Sequence, residues 1–169
     1  MEYFDYTWLV FLFRWLHVLS GVMWIGLLWY FNFVQLPNMP KIPDDQKPAI
    51  SKVIAPAALF WFRWAAMSTL ITGLILAWLN GYLVDSIALG LTSGVAKDAA
   101  IGFGMWFGAI MAYNVWMIIW PNQKIALGMV EAAADAEPAA ARKAMLASRT
   151  NTMLSIPMLY AMVSAQNLY

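Results

Sequence analysis

Most of this chain consists of apolar stretches about as long as a membrane is thick. Four of them read as helical spans: residues 7–34, 57–79, 99–120 and 152–168. A hydrocarbon core of about 30 Å needs about 20 helical residues to cross it. The second and third stretches fit. The first is longer and must tilt or project. The fourth is short and holds Pro157. None alternates apolar and polar residues with period two, as a membrane barrel strand does. Charged residues make up 11% of the chain, against about 25% in a soluble domain. A charge near neutrality gives no electrostatic case for nucleic acid. The sequence therefore predicts an all-α integral membrane protein: a four-helix transmembrane bundle in a lipid bilayer, with residues 1–169 as a single membrane domain.

The segments between the spans differ in character. Residues 35–56 hold five of the eight prolines and are expected to be extended or built of short turns. Residues 80–98 carry Gly81, Gly90 and Gly94 and read as a plain loop. Residues 121–151 are alanine-rich and charged. Glu137-Pro138 marks a helix start there, because proline suits the first turn and an acid suits the positive dipole end. An amphipathic cytoplasmic helix is expected from that point, running towards the fourth span. Glu2 and Asp5 open the chain where a signal peptide would be basic, so the first helix is expected to be retained.

Basic residues give an orientation. The first connector has Lys41, Lys47 and Lys52, and the third has Lys124, Arg142, Lys143 and Arg149. The second has only Lys97, and the tails have none. Seven against one places the first and third connectors in the cytoplasm and both termini outside.

Three ionisable side chains interrupt the apolar runs: Arg14, His17 and Arg63. A charge at the centre of a bilayer costs roughly 3 kcal/mol on insertion scales, so such groups are candidate functional residues. Arg14 and His17 are three apart and share a helix face with Gly21 and Trp24. Arg63 belongs to the opposite half of the membrane. His17, the sole histidine, has three open readings: a haem or metal ligand, a proton-transfer group, or a hydrogen-bonded packing residue. Met67, Met105, Met111 or Met158 would supply a second axial ligand, or a second copy of the chain would bring its own His17 in a homo-oligomer. Arg14 and Arg63 have snorkelling to headgroups as their plain alternative.

The third span carries Gly104, Gly108 and Ala112, a small-residue face suited to close packing within the monomer. Asn114 and the second-span Ser68, Thr69 and Thr72 offer interhelical hydrogen bonds. The spans contain no carboxylate, which argues against a carboxylate-based proton pump or cation-coupled transporter. Lys124, Arg149 and Asn151 form a candidate site for an anionic purine or lipid headgroup, with an interfacial collar as its alternative. Arg63 and Asn114 join them as candidate substrate or headgroup contacts.

Several stretches carry a family resemblance. Trp15-Leu16-His17, Gly21 and Trp24-Ile25-Gly26 resemble the opening of the N-terminal membrane domain of bacterial membrane-bound urate hydroxylases. Asn114-Val115-Trp116 through Trp120-Pro121-Asn122-Gln123-Lys124 is similar to the same domain. So is Ala147-Ser148-Arg149-Thr150-Asn151-Thr152, followed by Leu154-Ser155-Ile156-Pro157-Met158. The resemblance implies a multi-helix fold in the bacterial inner membrane. It also implies oxidation of urate or a related small molecule, with electrons leaving through a cytochrome c. The chain has no cysteine, hence no CxxCH for covalent haem, so the resemblance is to a short form that needs a separate electron acceptor. On this reading His17 is a ligand to b-type haem or a proton shuttle, and Arg14 stabilises negative charge beside it. The alternative is a non-catalytic accessory or structural subunit of a larger membrane complex.

Overall fold

The computed structural model describes residues 5–133 and 135–169. Glu2, part of the acidic opening of the chain, lies outside them. The described residues form helices and turns with no strand. Helix α1 runs over Tyr6–Lys41 and α2 over Lys47–Leu79. A short α3 follows at Leu83–Ile87. Helix α4 covers Ala96–Ala126, and α5 covers Ala136–Asn167. Helices α1, α2 and α4 are long and apolar enough to cross a membrane.

Local chemistry sets the helix ends. The Asp5 carboxylate caps α1 by accepting from the Trp8 amide at 2.8 Å. Two helices close on a left-handed glycine. After α2, Gly81 takes φ 76° and the Tyr82 amide reaches back to the Ala77 carbonyl at 3.2 Å. After α4, Gly128 takes φ 64° and the Met129 amide reaches the Lys124 carbonyl at 2.8 Å. Both return bonds satisfy carbonyls that a helix end leaves open, and glycine takes positive φ without a Cβ clash.

The first connector departs from expectation. Residues 35–56 are mostly helical, because α1 runs on to Lys41 and α2 starts at Lys47. Two of the connector's five prolines, Pro37 and Pro56, follow widened turns, as Pro121 does in the third connector; Pro40 sits in a tight 3-10 turn, Pro43 outside the helices and Pro48 at a helix start. Residues Tyr30–Gln35 precede Pro37, Ile50–Ile54 precede Pro56, and Asn114–Ile119 precede Pro121. In each, an amide bonds the carbonyl five residues back: Leu36 to Phe31, Ala55 to Ile50, and Trp120 to Val115. A proline ring clashes with the carbonyl four residues back and lacks an N–H, and the wider turn relieves both. The second connector also differs, because residues 80–98 contain α3. The helix start at Glu137-Pro138 holds: α5 begins at Ala136 and runs on without a break through the fourth apolar stretch to Asn167.

Helices α1 and α2 are antiparallel, and so are α4 and α5. The common core is Trp24, Leu28 and Phe31 of α1, Phe62 of α2, Met111, Val115 and Ile119 of α4, and Met158 of α5. The face of α5 turned inward carries Ala140, Ala144, Ser148, Asn151, Ser155 and Ala161. It meets the small-residue face of α4, where Gly104, Gly108 and Ala112 are buried. Small side chains on both helices permit close approach without a hydrophobic drive from water. This is the use expected of that face.

Candidate functional site

His17 lies in the α1–α2 interface. Its Nδ1 is 2.9 Å from the Thr69 carbonyl oxygen. A carbonyl only accepts, so Nδ1 carries the proton and donates it. In the neutral ring this leaves Nε2 with its lone pair. Nε2 has no hydrogen-bond partner among the described residues. The ring fits because position 73 is glycine: a Cβ there would stand 2.8 Å from His17 Cε1. One turn further along α1, the Ser20 and Ser68 hydroxyls pair at 2.7 Å. Thr69 turns its own hydroxyl to the Ala65 carbonyl at 2.7 Å, and its backbone carbonyl accepts from the histidine and, at 3.3 Å, from the Thr72 hydroxyl.

Gly21 and Trp24 do continue the His17 face, with Gly21 against Thr69 and Trp24 in the core. Arg14 is exposed, towards the turn after α2. Burial raises the Tyr82 phenol above its ordinary value, and the positive field of Arg14 opposes that shift. Arg63 faces α4 instead: its guanidinium carbon is 3.2 Å from the centre of the Trp120 ring. The two arginines thus serve opposite ends of the bundle.

The other candidate residues divide into pairs. Lys124 shares the Trp120 ring with Arg63, its Nζ 5.6 Å from the ring centre. Asn114 and Asn151 bind each other. The Asn114 side-chain amide donates to Asn151 Oδ1 at 2.8 Å, and Asn151 Nδ2 donates to the Met111 carbonyl at 2.9 Å. Asn151 is fully buried. Arg149, on the same helix, is exposed. No hydrogen bond or ion pair links Lys124, Arg149 and Asn151 among the described residues.

Two contributors to the histidine site escape a reading of side chains. The Thr69 acceptor is a backbone carbonyl, which has no signature in sequence. Gly73 is an isolated glycine within a helical run, a pattern that often reports close packing.

The arrangement bears on haem. Ligating histidines usually donate their second ring N–H to a carbonyl or carboxylate, which fixes the tautomer and the ring plane. His17 has that anchor, and its Nε2 has the free lone pair a ligand needs. The described residues contain no group of three His, Cys, Asp or Glu side chains that would hold a metal ion. Met111 and Met158, two candidates for a second ligand, are committed to the core beside Trp24.

No curated protein and no solved structure matches the chain. A family pattern does. The family described as urate oxidase N-terminal matches residues 83–168, which covers α3, α4 and α5. The Asn114–Trp116, Trp120–Lys124, Ala147–Thr152 and Leu154–Met158 stretches all lie inside that match, while Trp15 to Gly26 precedes it. With half of the sequence in register with one family and the apolar helices such a membrane domain requires, the chain belongs to the urate oxidase N-terminal family.

Proposed function

We propose that this protein is a redox-associated component of the bacterial inner membrane, acting on urate or a related small molecule with a separate electron acceptor such as a cytochrome c. Its centre is His17. The observation that carries the reading is the anchored imidazole: Nδ1 held by the Thr69 carbonyl at 2.9 Å, with Nε2 left free. A b-type haem bound at Nε2 would supply one-electron transfer. The chain's own residues orient the ring and hold its proton. Thr69 fixes the tautomer, Gly73 makes room for the ring, and Arg14 sets a positive charge one turn away on the same helix. Without haem, the same free nitrogen suits a proton shuttle. All four long helices cross the bilayer in this reading, with both termini on the periplasmic side.

The test is an optical spectrum of the purified protein, as isolated and after addition of haemin. The expected result is a Soret band in the wild type and its loss in His17→Ala, with helical circular dichroism unchanged. A band equally strong in His17→Ala, or none in the wild type after haemin addition, overturns haem ligation by His17. A colourless protein that copurifies in fixed ratio with a larger membrane complex supports the accessory-subunit reading instead.

A further inference from the structure

A second polar cluster lies away from His17, at the end of the bundle where α1 and α4 close and α2 opens. The guanidinium carbon of Arg63 on α2 lies over the Trp120 ring of α4, 3.2 Å from its centre, and 5.9 Å from the centre of Trp116. Lys124, one turn beyond Trp120, brings Nζ within 5.6 Å of the same ring. Two like charges therefore converge on one indole, no more than about 9 Å apart. In a low-dielectric setting their repulsion rivals what a cation–π contact returns. The described residues place no carboxylate within ion-pair distance of either. Two donors are also stranded: Arg63 Nε and Trp116 Nε1 are buried with no hydrogen-bond partner. Buried donors rarely stay unpaired.

Two cations on one ring, with no acceptor beside them among the described residues, mark a site for an oxyanion. Among the described residues the Arg63 guanidinium makes no hydrogen bond or ion pair, so its fork is open to the paired contacts that arginine makes to phosphate. The surroundings indicate how such a group would arrive. Trp64 packs edge-on against Trp116 at 5.5 Å and is itself about half exposed. Phe60, Trp61 and Met117 are exposed nearby on the same two helices. An apolar surface beside a cationic niche suits an amphiphile. We propose that Arg63 and Lys124, gathered on the Trp120 ring, bind the phosphate of an anionic phospholipid whose acyl chains lie along Trp64. This site is independent of the reading of His17.

The test uses the full chain in detergent, stripped of lipid. Native mass spectrometry and thermal melting are followed on addition of phosphatidylglycerol, phosphatidylcholine or inorganic phosphate. Phosphatidylglycerol is expected to remain bound and to raise the melting temperature, and the other two are not. Arg63→Gln should weaken phosphatidylglycerol binding at least tenfold, and Lys124→Gln several-fold. Arg63→Lys keeps the charge but not the fork, and should fall between wild type and Arg63→Gln. Should Arg63→Gln fail to fold, Lys124→Gln at the helix end still decides the matter. Equal stabilisation by both lipids, or unchanged phosphatidylglycerol binding in Lys124→Gln, overturns the site. Inorganic phosphate stabilising as well as phosphatidylglycerol overturns the lipid as its source. The Soret readout of His17 takes no part in these measurements, so the two readings fail separately.

Discussion

A methyl group added at Gly73 would stand 2.8 Å from Cε1 and 2.9 Å from Nδ1 of His17. Both distances are below any ordinary contact, so the ring or the helix must shift, which strains the ring's bond to Thr69. Overpacking of this kind costs about 1–3 kcal/mol. Gly73→Ala should therefore lower the melting temperature in detergent. In a His17→Ala background the obstacle is gone, and the same substitution should cost almost nothing. Thermal melts of the four proteins form the cycle, and additive losses would show that the ring does not occupy the space beside Gly73. Gly102 gives a contrasting case. A Cβ there would meet the Ser86 carbonyl oxygen at 2.2 Å. That atom is backbone, so no side-chain deletion should rescue Gly102→Ala. Gly21 is the control, because its Cβ would meet Thr69 Cγ2 at an ordinary 3.9 Å. Gly21→Ala should be neutral, or stabilising by up to about 1 kcal/mol through helix propensity. His17 was legible in the sequence, since an ionisable group in an apolar run stands out. The need for glycine at 73 and 102 was not, because its cause lies across an interface.

At the scale of the element, α5 shows how a helix with many polar residues holds its place in an apolar bundle. Its buried stripe is small or hydrogen-bonded: Ser148 accepts from Asn32 at 2.8 Å, Ser155 accepts from Trp29 Nε1 at 2.9 Å, and Asn151 joins Asn114 and Met111. Interhelical hydrogen bonds in membranes average about 0.6 kcal/mol and reach about 1.7. Asn151→Ala removes two of them and leaves a void, so a loss of about 1–2 kcal/mol is expected in reversible unfolding from mixed micelles. Arg149→Ala, two residues away and exposed, should change stability by less than about 0.5 kcal/mol. Equal losses would mean that α5 presents a different face to α4. The apolar runs were sufficient to place the three apolar helices, and Glu137-Pro138 marked where α5 begins. Helix ends were less legible. The five prolines of residues 35–56 suggested extended chain, but widened turns absorb Pro37 and Pro56 within helices, and that accommodation depends on backbone bonding that composition does not reveal. Asn114 and Asn151 looked like headgroup ligands by residue type, and only the packing of α4 on α5 shows each amide paired with the other.

At the scale of the whole molecule, the antiparallel pairings gather the basic residues. The end of α1, the start of α2, the end of α4 and the first half of α5 meet at one end of the bundle, bringing Lys41, Lys47, Lys52, Lys124, Arg142 and Lys143 together there. The described residues hold one ion pair at that end, Lys47 with Asp44 at 2.6 Å, so most of this charge is not neutralised by internal carboxylates. The opposite end carries Lys97. Basic segments resist translocation, so the lysine-rich end should stay in the cytoplasm and the α3 end should face out. The absence of cysteine makes this directly measurable, because any introduced thiol is the sole target for a maleimide. Leu91, highly exposed beside α3, and Ala139, exposed in the first turn of α5, mark the two ends. In intact spheroplasts a membrane-impermeant maleimide should label Leu91→Cys at once and Ala139→Cys only after permeabilisation. The reverse pattern would invert the bundle. Labelling of both positions without permeabilisation would mean that the two ends lie on the same side, and then α5 does not cross the bilayer in the sense its packing against α4 requires.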